Sequence, residues 1–457
     1  MVVEIDEREM AMKKRIRPAI LLTLVFIFLF PQSTGCAPKE VEQTNDSLKI
    51  AYWGGSSLLV SGPLYEFKQL HPDVEVTTDF QPYTADDPIG EAFFKRISAE
   101  VMSGSGPDVI ILGTWGMNGN KMMRSGVFAD LNEFIENDPD FDLSKYNGKV
   151  LEAGQVEGKQ YIMPLTYTIP LVLTTQEMLD KTGFDISTAD NYNAFLEECL
   201  DVQGKNIEGV PELSMTMSLT PYLADAVDYD TREVKVNTPE NRETMRLNYE
   251  VVDIHRGEEG WGPIAGGIDD ALRVIENKAI FSVVTSQFVS YFYNYRTLKD
   301  MGTPVQAAVR DAEGRVMAQV GESAAINANS PNKQNAYEFI KLMLDGLSSE
   351  QQLSGMGNIP VSNEAVESFL KSLIGKEEKL SDVYPGYVCE VETLHGLTQE
   401  EADAYMGLLE EIDGAYLKEQ DITEAHSEIN RYYNGETADL DSCIQNFEDK
   451  LKIIASE

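Results

Sequence analysis

Short apolar runs and helical repeats alternate along the first third of the chain. Five segments follow in the order strand, helix, strand, helix and strand: Leu48–Trp53, Leu64–Leu70, Val74–Phe80, Ile89–Val101 and Asp108–Leu112. The strand segments are continuous or alternating apolar runs, and the helical segments carry apolar residues three or four positions apart. Because crossovers between parallel strands are right-handed, this order predicts a parallel, doubly wound α/β sheet.

One aromatic residue follows each of the three predicted strands. Trp53 ends the first strand, Tyr83 follows the second and Trp115 follows the third. Ligands of open α/β sheets bind beyond the carboxyl ends of the strands, and the glycines beside both tryptophans permit close approach of a ligand. We therefore predict that these three aromatic residues line a ligand pocket. Packing in the core or at a hinge is the alternative, because it is the commoner fate of a tryptophan.

A second helical pattern covers residues 330–344. Ser330 is a favourable N-cap, and Pro331 suits the first helical position because the N–H that it lacks would be unpaired there. The apolar residues that follow form one stripe: Ala336, Tyr337, Ile340, Met343 and Leu344. The stripe predicts a helix that packs on the core and does not form a binding site.

The first 35 residues have the order of a secretory signal peptide. Basic residues at 13–17 precede the apolar run Ile20–Phe30, which is shorter than the roughly 20 residues of a membrane span. The sequence STGC at 33–36 resembles a bacterial lipobox, although Ser33 stands where an apolar residue is usual. We predict removal of residues 1–35, lipidation of Cys36 and a flexible polar tether over residues 36–47. Simple secretion is the alternative, and three translation starts stay open: Met1, Met10 and Met12.

Charge and length narrow the class of protein. A chain of 457 residues is long enough for two or more domains. It has 76 Asp and Glu against 37 Lys and Arg, a net charge of −39, so its surface repels nucleic-acid phosphates. We therefore predict that nucleic acid is not a partner. The acidic surface also favours a neutral or cationic solute over an anionic one.

Few residues in the chain are typical of metal, cofactor or disulfide chemistry. The four His are scattered, which disfavours a histidine metal site, whereas counting does not exclude a carboxylate site. No Gly-rich phosphate loop or nucleophile elbow occurs, and we expect no cofactor, no metal and no catalytic residue. Beyond Cys36, the chain has Cys199, Cys389 and Cys443, which allow at most one disulfide, and buried free thiols are expected.

Seven segments resemble bacterial extracellular solute-binding proteins of ABC importers, the large family that includes maltose-binding proteins. They occur in the family's order over nearly all of residues 48–450: Ser103–Leu112 (SGSGPDVIIL), Ser125–Leu131 (SGVFADL), Val156–Leu165 (VEGKQYIMPL), Gly183 with Asn193–Leu200, Asn277–Val284 (NKAIFSVV), Ala324–Leu344 and Met356–Val361 (MGNIPV).

The resemblance implies a two-lobed, type II periplasmic-binding-protein-like α/β fold. Each lobe would be a doubly wound sheet flanked by helices, with a hinge and a central cleft between the lobes. Lobe one is expected at 48–166 and 323–372, and lobe two at 167–322 and 373–457. Tyr167 and Thr168 would lie at the first hinge crossing, as ligand residues or simply as hinge residues. The resemblance further implies a monomer that serves a membrane permease. This monomer would lie on the outer face of the cell membrane or in the periplasm.

The resemblance also implies a solute, most often a sugar. Sugar-binding members often carry a Trp after the strand that resembles Asn277–Val284, but this chain has Gln287 in that turn. Gln287 and Trp261 are therefore added to the predicted ligand residues. A non-sugar solute such as a polyamine stays open, as does a secreted carbohydrate-active enzyme that uses paired carboxylates such as Asp86-Asp87, Glu258-Glu259 or Asp269-Asp270.

Overall fold

A computed structural model describes residues 42–84, 90–113, 117–205, 207–208, 219–253, 269–277, 279–283, 288–346, 357–383 and 392–456. No helix within these ranges is both long enough and apolar enough to cross a membrane.

The strands are mostly short and occur along the whole chain. In chain order they are β1 (Ser47–Trp53), β2 (Glu75–Gln81), β3 (Val109–Leu112), β4 (Gln155–Val156), β5 (Lys159–Gln160), β6 (Ile162–Pro164), β7 (Thr166–Thr168), β8 (Leu171–Thr175), β9 (Val227–Asp228), β10 (Glu233–Val234), β11 (Ser282–Val283), β12 (Pro304–Ala308), β13 (Val316–Val320), β14 (Ser323–Ile326), β15 (Ile359–Pro360), β16 (Glu378–Lys379), β17 (Thr393–Leu394) and β18 (Ile412–Leu417).

The helices alternate with these strands. In chain order the α-helices are α1 (Ser57–Leu70), α2 (Glu91–Met102), α3 (Gly119–Arg124), α4 (Asn132–Ile135), α5 (Gly148–Leu151), α6 (Gln176–Thr182), α7 (Tyr192–Gly204), α8 (Pro239–Asp253), α9 (Asp269–Ile275), α10 (Phe288–Met301), α11 (Lys333–Asp345), α12 (Asn363–Leu373), α13 (Leu380–Val383), α14 (Gln399–Glu410), α15 (Gln420–Ala425), α16 (Ser427–Tyr433) and α17 (Leu440–Ser456).

The predicted strand and helix order of the first third is confirmed by the main sheet. Its strand order is β2-β1-β3-β14-β6, and β1 pairs in parallel with both β2 and β3. The sheet also contains β14, which runs antiparallel to β3 and β6 and comes from more than 200 residues further along the chain. The β1 and β3 backbones therefore end at the same edge of the sheet, as the topology predicts.

A second sheet connects distant parts of the chain near the predicted hinge crossings. Its order is β15-β7-β13-β18, with β7 antiparallel to β13 and β13 parallel to β18. Along β13 the residues alternate: Val316, Ala318 and Val320 are buried, whereas Met317 and Gln319 are partly exposed. One face of this sheet therefore packs on the core, and the other face is available to line a cavity.

Apolar residues pack in separate clusters among the described residues. One cluster lies between α2, α3 and the main sheet and includes Phe94, Ile110 and Met122. Another lies between the C-terminal helices and residues 222–245 and includes Tyr222 and Phe447. The largest cluster includes residues of the main sheet and of the second sheet. It also includes the predicted stripe of α11, and the burial of this stripe confirms the packing role of that helix.

The N-terminus of α11 differs from the sequence prediction. The helix begins at Lys333 with Asn332 as N-cap, so the assignment of Ser330 as N-cap and Pro331 as first helical residue is wrong. The Ser330 hydroxyl donates to Asp108, and it accepts a hydrogen bond from the Asn332 N–H at 2.9 Å, one residue before the helix begins. The first-turn N–H groups bind side chains from the N-terminal segment: Lys333 N donates to Gln43 Oε1 at 3.3 Å and Gln334 N to Asn45 Oδ1 at 3.2 Å.

These contacts also shorten the expected tether. The Thr44 N–H donates to the Pro331 carbonyl at 2.8 Å, and Ser47 already belongs to β1. A polar segment binds here because the helix N-terminus offers unpaired donors that side-chain oxygens satisfy. Residues 43–47 are therefore held against the folded chain.

Candidate functional site

Two of the predicted rim aromatics lie together. Trp53 is the last residue of β1, and its ring centroid is 6.0 Å from that of Tyr83, with the planes inclined at 50°. Tyr83 is 64% exposed, whereas Trp53 is partly buried beside the cluster of α2 and α3. The pairing follows from the parallel β1–β2 register, since Trp53 lies opposite Gln81, two residues before Tyr83.

Glycines make room for the Trp53 indole. A Cβ atom at Gly90 would lie 2.7 Å from Trp53 Cδ1, and one at Gly55 would overlap the six-membered ring. Gly90 also has φ +72°, which other residues adopt only with strain. The indole N–H is buried and has no hydrogen-bond partner among the described residues. An unpaired buried donor is costly, which makes this N–H a candidate contact for a bound molecule.

Tyr167 and Thr168 have different positions in the sheet β15-β7-β13-β18, which is called the hinge sheet from here on. Tyr167 is 1% exposed and packs in the largest apolar cluster, and its burial raises the pKa of its hydroxyl. Thr168, the next residue of β7, lines a cavity. The Tyr167 side chain is therefore part of the core, and its role at the hinge stays a prediction. Trp115, Trp261 and Gln287 lie outside the described residues.

The cavity beside the hinge sheet has a volume of about 480 Å³. This size lies in the usual range for sites that hold small molecules. The wall combines the exposed faces of β7, β13 and β18 with the loops after β7 and β12, and its residues are Thr168, Ile169, Pro170, Tyr192, Leu219, Thr220, Pro221, Val309, Arg310, Asp311, Arg315, Met317, Gln319, Gly321, Asn358, Tyr416 and Lys418.

Amide and hydroxyl groups give the cavity both donors and acceptors. The Tyr416 hydroxyl donates to Gln319 Oε1 at 3.2 Å, which fixes the orientation of that amide across the β13–β18 pair. Asn358 Nδ2 donates to Glu322 Oε2 at 3.2 Å, and Thr166 Oγ1 donates to the same oxygen at 2.7 Å. Burial raises the pKa of Glu322, although these two hydrogen bonds oppose the rise.

A smaller cavity lies at the carboxyl end of β3, beside the larger one. Its volume is about 20 Å³, and its wall includes Leu112 and Gly113 at the carboxyl end of β3. It shares Gly321 and Lys418 with the larger cavity. A Cβ atom at Gly321 would lie 2.3 Å from Asn358 Nδ2 and 2.6 Å from Thr166 Oγ1, so a larger residue here would displace these side chains. The two cavities are therefore neighbours, and neither described wall includes Trp53 or Tyr83.

The larger cavity has both basic and acidic side chains in its wall. Its described wall has three basic side chains, Arg310, Arg315 and Lys418, against one carboxylate, Asp311. Net charge describes the surface as a whole, whereas a site is determined by the few side chains that face it. Both arginines are paired with carboxylates of the protein, Arg310 with Glu411 and Arg315 with Asp311. The preference for a neutral or cationic solute therefore stays a prediction.

The sequence prediction missed the side chains of β13 and β18. Gln319, Tyr416 and Lys418 line the cavity, and Asn358 precedes β15. The alternation of β13, with Met317 and Gln319 on one face, was the available signal. That signal shows which residues share a face, but it does not show that the face borders a cavity.

No group of three or more His, Cys, Asp or Glu that could hold a metal ion occurs in the part of the chain that the structure describes. Cys199 and Cys443 are buried free thiols, which confirms that expectation for these two. Cys389 lies outside the described residues.

Comparison with known proteins identifies the family. The family model for bacterial extracellular solute-binding proteins matches residues 60–345, more than half of the 457-residue chain. The chain therefore belongs to the bacterial extracellular solute-binding protein family.

Solved structures show the same fold. The sugar-binding protein MalE from the phytopathogen Xanthomonas citri superposes with a TM-score of 0.60 at 14% identity, over 90% of this chain and 97% of that one. An ABC substrate-binding protein from Listeria monocytogenes in complex with cycloalternan gives 0.55 at 16%, over 90% and 99%. The cyclic α-maltosyl-1,6-maltose binding protein from Arthrobacter globiformis gives 0.56 at 16%, over 90% and 98%. The predicted fold class, a type II two-lobed α/β solute-binding fold, is confirmed.

Proposed function

We propose that this protein is a non-enzymatic lipoprotein that captures a sugar or oligosaccharide and delivers it to the permease of an ABC importer. The observation that carries the proposal is the cavity of about 480 Å³ beside the hinge sheet, with its wall of amides, hydroxyls and apolar side chains. The related structures named for cycloalternan and cyclic maltosyl-maltose support a carbohydrate solute.

The wall suits a sugar for a physical reason. A sugar ring has apolar C–H faces and hydroxyls around its edge, so it needs flat apolar surfaces together with donors and acceptors. The flat apolar surfaces come from Tyr192, Tyr416 and Met317. The donors and acceptors come from Gln319, Asn358 and Thr168. At the rim, the Trp53–Tyr83 pair supplies an apolar ring surface. The indole N–H of Trp53, which has no hydrogen-bond partner among the described residues, supplies a donor beside it.

The alternatives have less support in the described wall. Glycoside hydrolysis needs two carboxyl groups on either side of the bond that breaks. The described wall has the single carboxylate Asp311, which accepts a hydrogen bond from Arg315 Nε at 2.9 Å. A polyamine needs several carboxylates as counter-ions, which the described wall also lacks. A binding protein for a sugar is therefore favoured over an enzyme and over a polyamine receptor.

The proposal includes closure of two lobes over the solute. We keep the predicted lobes, 48–166 with 323–372 and 167–322 with 373–457, and the prediction that the protein acts as a monomer. The hinge strands β7 and β13 lie at the proposed boundaries, and small backbone changes in such strands allow closure. Closure would exclude water and strengthen the hydrogen bonds to the sugar.

We predict that Gln319→Ala weakens sugar binding about five- to thirtyfold, or about 1–2 kcal/mol, because one amide makes one or two hydrogen bonds to a solute. The measurement is titration of a panel of oligosaccharides, followed by the fluorescence of the three tryptophans. Gln445→Ala, at an exposed position of α17, is the matched control and should bind like the wild type. If no carbohydrate in the panel binds, or if a bound glycan is cleaved, the proposed function is wrong.

The lipid anchor is a separate part of the proposal. We predict that Cys36→Ser moves the protein from the membrane fraction into the medium, because two acyl chains on Cys36 would supply the membrane affinity. Ser33→Leu, which gives the 33–36 segment the usual apolar residue, should stay with the membrane. Equal partition of the Cys36→Ser variant and the wild type would contradict the anchor.

A further inference from the structure

We infer that Asn248 is a positioning residue of the proposed sugar site. It lies behind the wall of the larger cavity and holds the segment 219–221 in that wall, where Thr220 meets the solute. Asn248 itself is 1% exposed and does not belong to the described wall. The inference rests on the proposed function and adds two residues to it, one that contacts the solute and one that acts only through its neighbours.

Three hydrogen bonds form a closed ring behind the wall. The Leu219 N–H donates to the Tyr192 hydroxyl at 3.1 Å, and this hydroxyl donates to Asn248 Oδ1 at 2.8 Å. Asn248 Nδ2 donates back to the Leu219 carbonyl at 2.9 Å. One phenol of α7 and one amide of α8 therefore satisfy both polar groups of the Leu219 main chain.

The ring of hydrogen bonds is shielded from water. Tyr192 and Asn248 are both 1% exposed. Burial raises the pKa of the Tyr192 hydroxyl, and the hydrogen bond from the Leu219 N–H opposes the rise, so the phenol is neutral and can accept and donate at the same time. Because a buried polar group without a partner is costly, removal of either side chain would favour exposure of the Leu219 main chain to solvent. The segment would then move out of the wall.

The segment 219–221 is a continuous part of the cavity wall. Leu219, Thr220 and Pro221 all line the larger cavity and are partly exposed. Pro221–Leu223 forms a single 3-10 turn, and the Thr220 carbonyl accepts from the Leu223 N–H at 2.9 Å. Among the described residues, the Thr220 hydroxyl does not cap this turn, and we assign it to contact with the solute. A hydroxyl that both donates and accepts suits the hydroxyls of a sugar.

Thr244, one turn earlier in α8, is a matched control for Asn248. It is also 1% exposed, and its hydroxyl donates to Asn193 Oδ1 of α7 at 2.6 Å. No hydrogen bond from it to the segment 219–221 occurs among the described residues. Loss of packing between α7 and α8 would therefore affect both positions alike, whereas the position of the wall depends on Asn248 and not on Thr244.

The test is calorimetric titration of the full-length protein at pH 7 with neutral gluco- and manno-oligosaccharides, of which the tightest binder is the probe. Asn248→Leu, which keeps the volume of the side chain, and Tyr192→Phe, which keeps the ring, should each weaken binding about tenfold, because a contact residue loses its support. Thr220→Val should weaken binding about fivefold, because it removes one hydrogen bond to the solute. Thr244→Val should leave the affinity unchanged.

Two double variants test whether these residues act through one segment. Asn248→Leu combined with Tyr192→Phe should bind no more weakly than either single variant, because the first change already opens the ring of hydrogen bonds. In the Asn248→Leu background, Thr220→Val should weaken binding by less than about twofold, since Thr220 has already left its position. Urea unfolding of every variant shows that the titrated protein is folded. Tyr192→Phe, the smaller change, decides the question if Asn248→Leu does not fold.

The outcomes separate this inference from the proposed function. Unchanged affinity in Tyr192→Phe and Asn248→Leu, or additive losses in their combination, would overturn the positioning role and leave sugar capture standing. An equal loss of affinity in Thr244→Val would show a general effect of helix packing and would overturn it as well. Normal affinity in Thr220→Val would overturn the contact assigned to that hydroxyl. Binding of no oligosaccharide by the wild type would overturn the proposed function, and this inference with it.

Discussion

Replacing Arg296 with methionine is expected to lower the free energy of unfolding by about 3–5 kcal/mol, the scale on which a buried ion pair loses one partner. The Arg296 side chain is 0% exposed in α10. Its Nη1 donates to Glu378 Oε2 at 2.7 Å, and its Nε donates to the His395 carbonyl at 2.9 Å. Its Nη2 donates to the Leu394 carbonyl at 2.8 Å and the Lys376 carbonyl at 3.1 Å. The methionine variant would remove the arginine donor from these carbonyls and from Glu378, which would keep its ion pair with Lys376.

The pKa of Glu378 gives the pH dependence of this contact. Burial opposes ionisation of Glu378, but the hydrogen bonds from Arg296 and Lys376 outweigh it and lower the pKa. A carboxyl with a lowered pKa in the folded state stabilises the fold above its ordinary pKa of 4.5, and this stability is lost as the pH falls through the folded value. The Arg296→Met penalty should therefore shrink in acid.

Urea unfolding with a matched control tests the Arg296 prediction. Arg431→Met removes an exposed arginine whose Nη1 donates to Glu428 at 3.1 Å, and a surface pair of this kind contributes about 0–1 kcal/mol. Arg296→Lys keeps the charge but cannot reach all four acceptors, so its loss should be intermediate. A loss for Arg296→Met no larger than that for Arg431→Met would show that the buried network contributes little.

Local patterns predicted the first third of the fold. Three strands and two helices between residues 47 and 112 follow from apolar periodicity, because each is determined by residues close in sequence. The parallel pairing of β1 with β2 and β3 follows from the handedness of short crossovers. The close approach of Trp53 and Tyr83 follows in turn from that pairing.

Contacts between distant residues were outside the reach of those patterns. Arg296 lies in a stretch of aromatic and polar residues where an arginine would normally face solvent, and its burial depends on carbonyls 80 to 99 residues away. The cavity wall depends on the parallel register of β13 and β18, which are about as far apart in sequence. Ser330 had the local features of an N-cap, but Gln43 and Asn45 supply the side chains that bind the first turn of α11.

Glu419, next to the candidate site, is another residue whose burial and contacts depend on residues distant in sequence. It is 3% exposed at the N-cap position of α15, directly after Lys418. Its Oε1 accepts from the Asn120 backbone N–H at 3.0 Å and from Asn120 Nδ2 at 2.9 Å, while its Oε2 has no partner among the described residues. Burial raises its pKa to about 7; Asp421 adds to the rise, and the Asn120 hydrogen bonds and Arg124 oppose it. The phenol of Tyr229 also faces this carboxyl, which helps burial to raise the Tyr229 pKa.

We predict that Glu419→Gln stabilises the protein at pH 8 by up to about 3 kcal/mol and has little effect at pH 4.5. The group is protonated in both states below its ordinary pKa of 4.5. Between that value and about 7 only the unfolded state releases the proton, so wild-type stability falls as the pH rises, and above 7 the loss is complete. A neutral glutamine removes this loss, and each unit of pKa shift corresponds to about 1.4 kcal/mol.

The measurement is the free energy of unfolding of the variant minus that of the wild type, taken at several values between pH 4.5 and 8. Taking the difference cancels the titration of His426 and Lys418, which shift in the same region of the molecule. Glu424→Gln, at an exposed position of the same helix, is the control and should give a nearly flat difference. The Glu419 difference should instead rise across the range from 4.5 to about 7, because that is where the two states of the wild type bind different numbers of protons. A flat profile for Glu419→Gln would mean that the carboxyl is hydrated in solution, and the contact between Asn120 and Glu419 would then be open for part of the time.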